Sequence, residues 1–325
     1  MITRRALAGS LLPGLTLARP ALAQPAWPGT RPIEMVVPYP AGGGIDIMAR
    51  MVAKYLPDRL GGATIIVNNR VGAGGQIGNE AIFAARPDGH TIGAVAPLSF
   101  ITKPLERSVR WRVEDFTYLA KVVEDPCAFW VRADSPLKSM VDTRAAAARG
   151  AERLSVGNST GAGSDDHIIL LTFEAATGVK CLHVPYNGTA QTTRDLLGGQ
   201  LDVASYNLSE GLALLREGRT RCLGQASVDR WASAPEVPTF REQGMDILFG
   251  AARGFVGPPG LPAAITARLV AAFGAVLSDA AFVAEAERLG LPLRPMLGDD
   301  FRASVMTEAA STRQIYERTP WSSQN

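Results

Sequence analysis

Apolar and polar positions follow two alternating periods along almost the whole chain. Short runs rich in β-branched residues, the pattern of buried strands, precede stretches whose apolar residues recur at three- and four-residue spacing, as on one face of a helix. Residues 33–38 (IEMVVP) form the first run, and residues 46–60 follow as a helix with Met48, Met51, Val52, Tyr55 and Leu56 on one side. Further strands are predicted at 64–67, 91–96, 129–131, 154–156, 180–184, 203–206, 222–225 and 254–257, with Pro97 closing the third. Helices are predicted at 77–85, 166–177, 189–197, 210–217, 262–277 and 281–289, several ended by glycine, as at Gly178, Gly198, Gly218 and Gly290. This alternation predicts α/β architecture with largely parallel sheets. No solenoid-period repeat or low-complexity tract interrupts it.

Two strand-to-helix junctions stand out. In VVPYPAGGGID the first strand breaks on Gly42, Gly43 and Gly44 before Ile45 and Asp46. The first amides of a helix lack partners within it, and the helix dipole adds partial positive charge, so such a junction can hold an anion without lysine or arginine. Asp46 can also cap the helix, and a plain tight turn is a second reading of the same residues. The second junction, NSTGAGSDDH, offers Ser159, Thr160, Gly161, Gly163 and Ser164 to a carboxylate. Ser164 is a natural N-cap, and Asp165 and Asp166 suit a first helical turn or could receive the ammonium of a zwitterion. A third cluster, residues 72–78 (GAGGQIG), imitates a dinucleotide loop, but Asn68 to Val71 separate it from the strand.

Composition adds a targeting signal. Residues 1–23 carry Arg4 and Arg5, an interrupted apolar segment and an Ala21-Leu22-Ala23 ending, the form of a cleavable export signal. Residues 3–7 (TRRAL) also resemble a twin-arginine signal, so both export routes stay open. Loss of this segment, which has three arginines and no acid, turns a formal net charge of +2 into −1. That balance, without a basic run, gives no case for nucleic acid. No later stretch approaches the roughly 20 unbroken apolar residues of a membrane helix.

Catalytic patterns are sparse. The histidines are His90, His167 and His183, and neither H-E-x-x-H nor G-x-S-x-G occurs. His167 reads as a capping or packing residue, or as a general base. Cys127, Cys181 and Cys222 form no framework; a Cys181–Cys222 bridge and three buried thiols are the two readings. Tyr39, Tyr186 and Tyr206 each end a strand, where open α/β sheets bind ligands.

Taken together, the motifs RPI (31–33), VVPYP (36–40), the triple glycine with Asp46, NR (69–70) with GAGG (72–75), PDGHT (87–91), VPY (184–186), LGGQ (197–200) and VPT (237–239) resemble the Bug family. These are periplasmic substrate-binding proteins of tripartite tricarboxylate transporters. The resemblance runs from about residue 31 to the C-terminus. It implies an α/β, two-lobed type II periplasmic binding protein, with a ligand cleft between two Rossmann-like domains. The first lobe would be residues 24–127 with 250–325, the second 128–249. The implied ligand site comprises Tyr39, Ala41, Gly42, Gly43, Gly44, Ile45 and Asp46 on one side. Ser159, Thr160, Gly161, Gly163, Ser164, Tyr206 and Asn207 form the other, with Tyr39 and Tyr206 as walls and Asn207 at the ligand's far end.

By the same resemblance the protein is non-catalytic, a monomer without cofactor or metal, and passes a small organic carboxylate (a mono-, di- or aromatic acid) to membrane permease subunits. Ile45, Asp165, Asn187 and Tyr206 replace residues more usual in the family and suggest a less polar cleft, suited to a monocarboxylate or aromatic acid rather than a tricarboxylate. Two other readings remain: a carboxylate sensor serving a membrane kinase, and a dinucleotide-dependent periplasmic enzyme.

Overall fold

The computed structural model describes residues 27–159 and 161–321. The export signal expected at residues 1–23 and the site residue Thr160 lie outside them. The chain begins β1 (Ile33–Val37), α1 (Gly44–Arg59), β2 (Ile65–Asn69), α2 (Gln76–Phe83), β3 (Thr91–Val95), α3 (Pro97–Glu106) and β4 (Thr117–Arg132). It continues with α4 (Met140–Ala147), β5 (Ser155–Asn158), α5 (Asp165–Thr177), β6 (Leu182–Pro185), α6 (Thr189–Leu197), β7 (Val203–Asn207), α7 (Leu208–Arg216) and β8 (Thr220–Gln225). The last part is β9 (Gly250–Gly257), α8 (Ala263–Leu277), α9 (Ala280–Arg288), β10 (Leu293–Leu297) and α10 (Gly298–Arg318).

The fold is two-lobed α/β, with strand order β2-β1-β3-β9-β4-β7-β5-β6. In each lobe three strands run parallel, β2-β1-β3 in one and β6-β5-β7 in the other. Both faces of a parallel sheet must be covered by its crossover helices, and two core clusters per lobe do this. Met48, Val52 and Leu56 of α1 pack with Phe273 of α8 on one face of the first sheet, while Ile82 of α2 and Phe100 of α3 pack with Phe301 of α10 on the other. In the second lobe Ile169 and Phe173 of α5 lie on one face and Leu196 of α6 on the other.

This arrangement places the loops. Helices α1 and α2 leave on opposite faces, so the sheet reverses direction of winding between β1 and β3, and a crevice opens beyond the carboxyl end of β1. The same reversal occurs between β5 and β7. Strand β4 joins the lobes: its first part pairs with β9 as far as Pro126↔Gly250, and from Cys127↔Asn207 onward it pairs with β7.

Several elements differ from the sequence expectation. The strand predicted at 129–131 is the end of the 16-residue β4, whose nearly continuous burial removes the period-two signal. Helix α3 was not predicted, because Pro97 reads as a strand stop; it is also the first residue of a helix, where its missing N–H costs nothing. The thiols of Cys127, Cys181 and Cys222 are free and buried, with Cys181 and Cys222 in different core clusters. The bridge reading is thereby corrected.

Candidate functional site

A cleft of about 440 Å³ lies where the two crevices face each other. Of the expected residues, Tyr39, Gly43, Gly44, Ile45, Gly163, Ser164 and Asn207 line it. Loop one follows β1. Its Asp46 is buried and accepts from the amide of Gly42 at 2.8 Å, Nε of Arg50 at 2.9 Å and Nδ2 of Asn69 at 2.8 Å. Burial pushes the Asp46 carboxyl up, but these donors outweigh it and hold the pKa down at about 2. Asp46 therefore organises the loop from behind and takes the Gly42 amide for itself. Gly42 has φ +82°, a conformation that side chains disfavour. The remaining amides at the start of α1, those of Gly44, Ile45 and Asp46, have no acceptor in their own helix, whose first bond is from the Ile47 amide to the Gly43 carbonyl.

Loop two follows β5, and its hydroxyls are mostly committed inside the protein. Ser159 is fully buried and donates to the Asp166 carboxylate. Ser164 donates to the Gly161 carbonyl at 2.7 Å and caps α5 by accepting from the His167 amide at 3.3 Å. Nδ1 of His167 accepts from the Gly163 amide at 3.1 Å, which fixes a neutral ring, and that ring stacks on His183 at 4.1 Å. Burial, then the neighbouring His183, lower the His167 pKa to about 3. His167 is thus a loop support behind the cleft, as its capping reading expected, and not a base within it.

Two expected site residues stand elsewhere. Tyr206 is fully buried and stacks on Trp130 at 5.2 Å, so it is a core residue of the second lobe rather than a cleft wall. The alternation along β7 turns it away, while Asn207 faces Asp165. Ser159 is likewise removed from the lining. Ala41, Gly42, Asp46 and Gly161 adjoin the cleft without lining it.

The structure also adds residues. Helix α3 contributes Leu98, Ser99, Thr102 and Lys103; β9 contributes Ala251, Ala252 and Arg253; Asp165 and Glu210 come from the second lobe. Arg253 lies against loop one so closely that a Cβ on Gly44 would fall 2.5 Å from its Nη1. A bare helix terminus was expected to need no cation, yet it is accompanied by one. Sequence reasoning had no signal for this contact, since 209 positions separate the two residues and the β1–β3 and β3–β9 pairings bring them together. In the third glycine cluster Gly74 lines the cleft, and the others serve packing: a Cβ on Gly75 would lie 3.0 Å from the Tyr39 hydroxyl, and one on Gly78 would lie 2.6 Å from Cα of Pro38. Tyr39 meets Ser99, and burial raises its pKa.

Comparisons with known proteins follow the same lines. Residues 48–312 match the model of the tripartite tricarboxylate transporter family receptor. A protein encoded in the tcbD-tcbE intergenic region of Pseudomonas sp. (strain P51) is 32% identical over 297 residues, covering 89% of this chain and 86% of that protein. Protein BugT of Bordetella pertussis is 34% identical over 239 residues, covering 71% and 72%. Among solved structures, a TctC solute binding protein from Polaromonas superposes with a TM-score of 0.82 at 32% identity, covering 90% of this chain and 99% of the other. MatC from Rhodopseudomonas palustris with bound malate gives 0.65 at 26% identity, covering 90% and 98%. An R. palustris protein with adipate gives 0.70 at 28%, covering 90% and 97%.

Proposed function

The chain belongs to the tripartite tricarboxylate transporter receptor family, and we propose on that premise that it is a non-catalytic periplasmic receptor. It captures a small organic carboxylate between its lobes and hands it to the membrane permease of a tripartite transporter. The observation that carries this reading is the convergence of the α1 start and the Arg253 guanidinium on one side of the interlobe cleft. A carboxylate there gains hydrogen bonds from the Gly44 and Ile45 amides, the positive end of a helix dipole and a charge-assisted contact.

The first lobe comprises residues 24–127 with 250–325 and the second 128–249, linked by β4 and β9; the change of partner at Pro126 and Cys127 supports these bounds. A ligand touching both lobes favours their closed arrangement by its differential affinity, and closure is the state a permease can read. Ile45, Leu98, Ala251 and Ala252 give the cleft an apolar lining that supports a monocarboxylate over a tricarboxylate.

The test is calorimetry on the mature protein with a panel of carboxylic acids, beside an Arg253→Gln variant with an unchanged melting temperature. At least one acid should bind, and the variant should weaken it about tenfold or more, as expected when a half-buried charged hydrogen-bond partner is lost. Undiminished binding to the variant would overturn the assigned role of Arg253; binding of no carboxylate would overturn the receptor reading.

A further inference from the structure

Charge is divided across the cleft. Arg253 and Lys103 stand on the first-lobe side, Asp165 and Glu210 on the second-lobe side. Lys103 is neutralised by Glu106 at 3.0 Å, whereas Arg253 forms no ion pair among the described residues. The two acids are held only by neutral donors. Asp165 accepts from Nδ2 of Asn207 at 3.0 Å, and Glu210 accepts from the Thr189 hydroxyl at 3.0 Å and the Asn207 amide at 3.2 Å. Neither has a cationic partner within ion-pair distance among the described residues; Asp125, fully buried close behind them, accepts from Ser209 and is attracted by the Arg253 charge. A second carboxylate on a ligand reaching across the cleft would face this group of like charges, and an alkyl end would leave it uncompensated.

We propose that the ligand is an amino-bearing carboxylic acid, its carboxylate at Arg253 and its ammonium group between Asp165 and Glu210. This rests on the reading of the cleft as a carboxylate site and adds the chemistry of the opposite end. Glu210 is exposed, and Asp165 and Asp125 near it add like charge while no cationic side chain among the described residues pairs with it. An ammonium group supplies a counter-ion. Discrimination follows from the unpaired charges that a wrong ligand would leave, a repulsive element as much as an attractive one.

Calorimetry with three matched series tests this on the mature protein. The four-carbon series is succinate, butyrate and 4-aminobutyrate; the five-carbon series is glutarate, pentanoate and 5-aminopentanoate; the six-carbon series is adipate, hexanoate and 6-aminohexanoate. At the length that fits, the amino acid should bind about tenfold or more tighter than the alkanoate, with the dicarboxylate weakest. The double variant Asp165→Asn, Glu210→Gln, which keeps hydrogen-bonding side chains at both places, should invert the order of amino acid and dicarboxylate. A dicarboxylate tightest at every length, or amino acid and alkanoate equal at every length, would overturn the proposal and leave the carboxylate reading standing. Binding of none of the nine compounds by the folded protein would overturn both.

Discussion

Gly43 and Gly163 stand just ahead of two of the helices that begin at the cleft, yet their surroundings differ. Around Gly43 there is room: an added Cβ would meet only the Pro40 carbonyl, at 3.4 Å, and the backbone is extended with φ −74°. Around Gly163 there is none. Its φ is +74°, and a Cβ would lie 2.4 Å from Oε1 of Glu106 and 2.5 Å from Nε1 of Trp321. Glu106 and Trp321 are hydrogen-bonded to each other at 3.1 Å, so Gly163 is where the second lobe meets α3 and the chain end. Similar strand-to-helix junctions thus serve different ends: in loop one glycine leaves space on the cleft side, and in loop two it lets two parts of the protein touch.

The largest effect should come from Gly163→Val. It adds left-handed strain to a steric clash and should destabilise the protein by about 3 kcal/mol or more in urea denaturation. A melt unchanged from wild type would break the comparison at its strongest point.

The loops should also fail in different pH windows. His167 has a folded pKa of about 3 against 6.5 in the unfolded chain, so its contribution is fully present above pH 6.5 and is lost as pH falls toward 3, at up to about 1.4 kcal/mol per unit. Asp46, at about 2 against 3.8, contributes about 2 kcal/mol that is retained until pH falls below 3.8 and is gone below 2. Urea titrations of His167→Gln should therefore flatten the stability profile between pH 6 and 4, on the order of two units of the window set by the two pKa values. Asp46→Asn should leave the slope there as in wild type. Equal slopes for wild type and His167→Gln would remove the assigned neutral-ring role.

Gly43→Val should act on binding instead. We expect an affinity loss of about 1–2 kcal/mol by calorimetry with the melting temperature nearly unchanged, because the added methyls enter the cleft rather than the core. A large drop in melting temperature would show that loop one, like loop two, needs its glycine for folding. The smallest effect should be that of Tyr206→Phe. With the ring in the second-lobe core, affinity should stay within about 0.5 kcal/mol of wild type, and a larger loss would restore Tyr206 to the cleft wall.

Local chemistry made much of this legible. The run of residues 33–37 is a strand because it is apolar and β-branched, and α5 begins where Ser164 caps it and ends where Gly178 adopts φ +72°. Both loops were visible because glycine between a strand and a helix is a local pattern. Side-chain direction was less visible. Tyr206 and Asn207 are adjacent, and one faces the core and the other the cleft only because β7 lies between β4 and β5. The hydroxyls of Ser159 and Ser164 look available in sequence and are taken by Asp166 and Gly161 once the loop closes on itself.

What the sequence determined by itself is therefore the alternating α/β layout, the resemblance to a receptor family and the two helix starts, since each depends on periodicity or on a few neighbouring residues. The tertiary structure decided the charge of the cleft. Arg253 reaches Gly44 through the register of β9 on β3, Lys103 arrives on a helix that begins at a proline, and Asp165 meets Asn207 across 42 positions. Electrostatic contact depends on distance in space, and distances of a few ångströms between remote segments are set only when strands pair and the helices cover them.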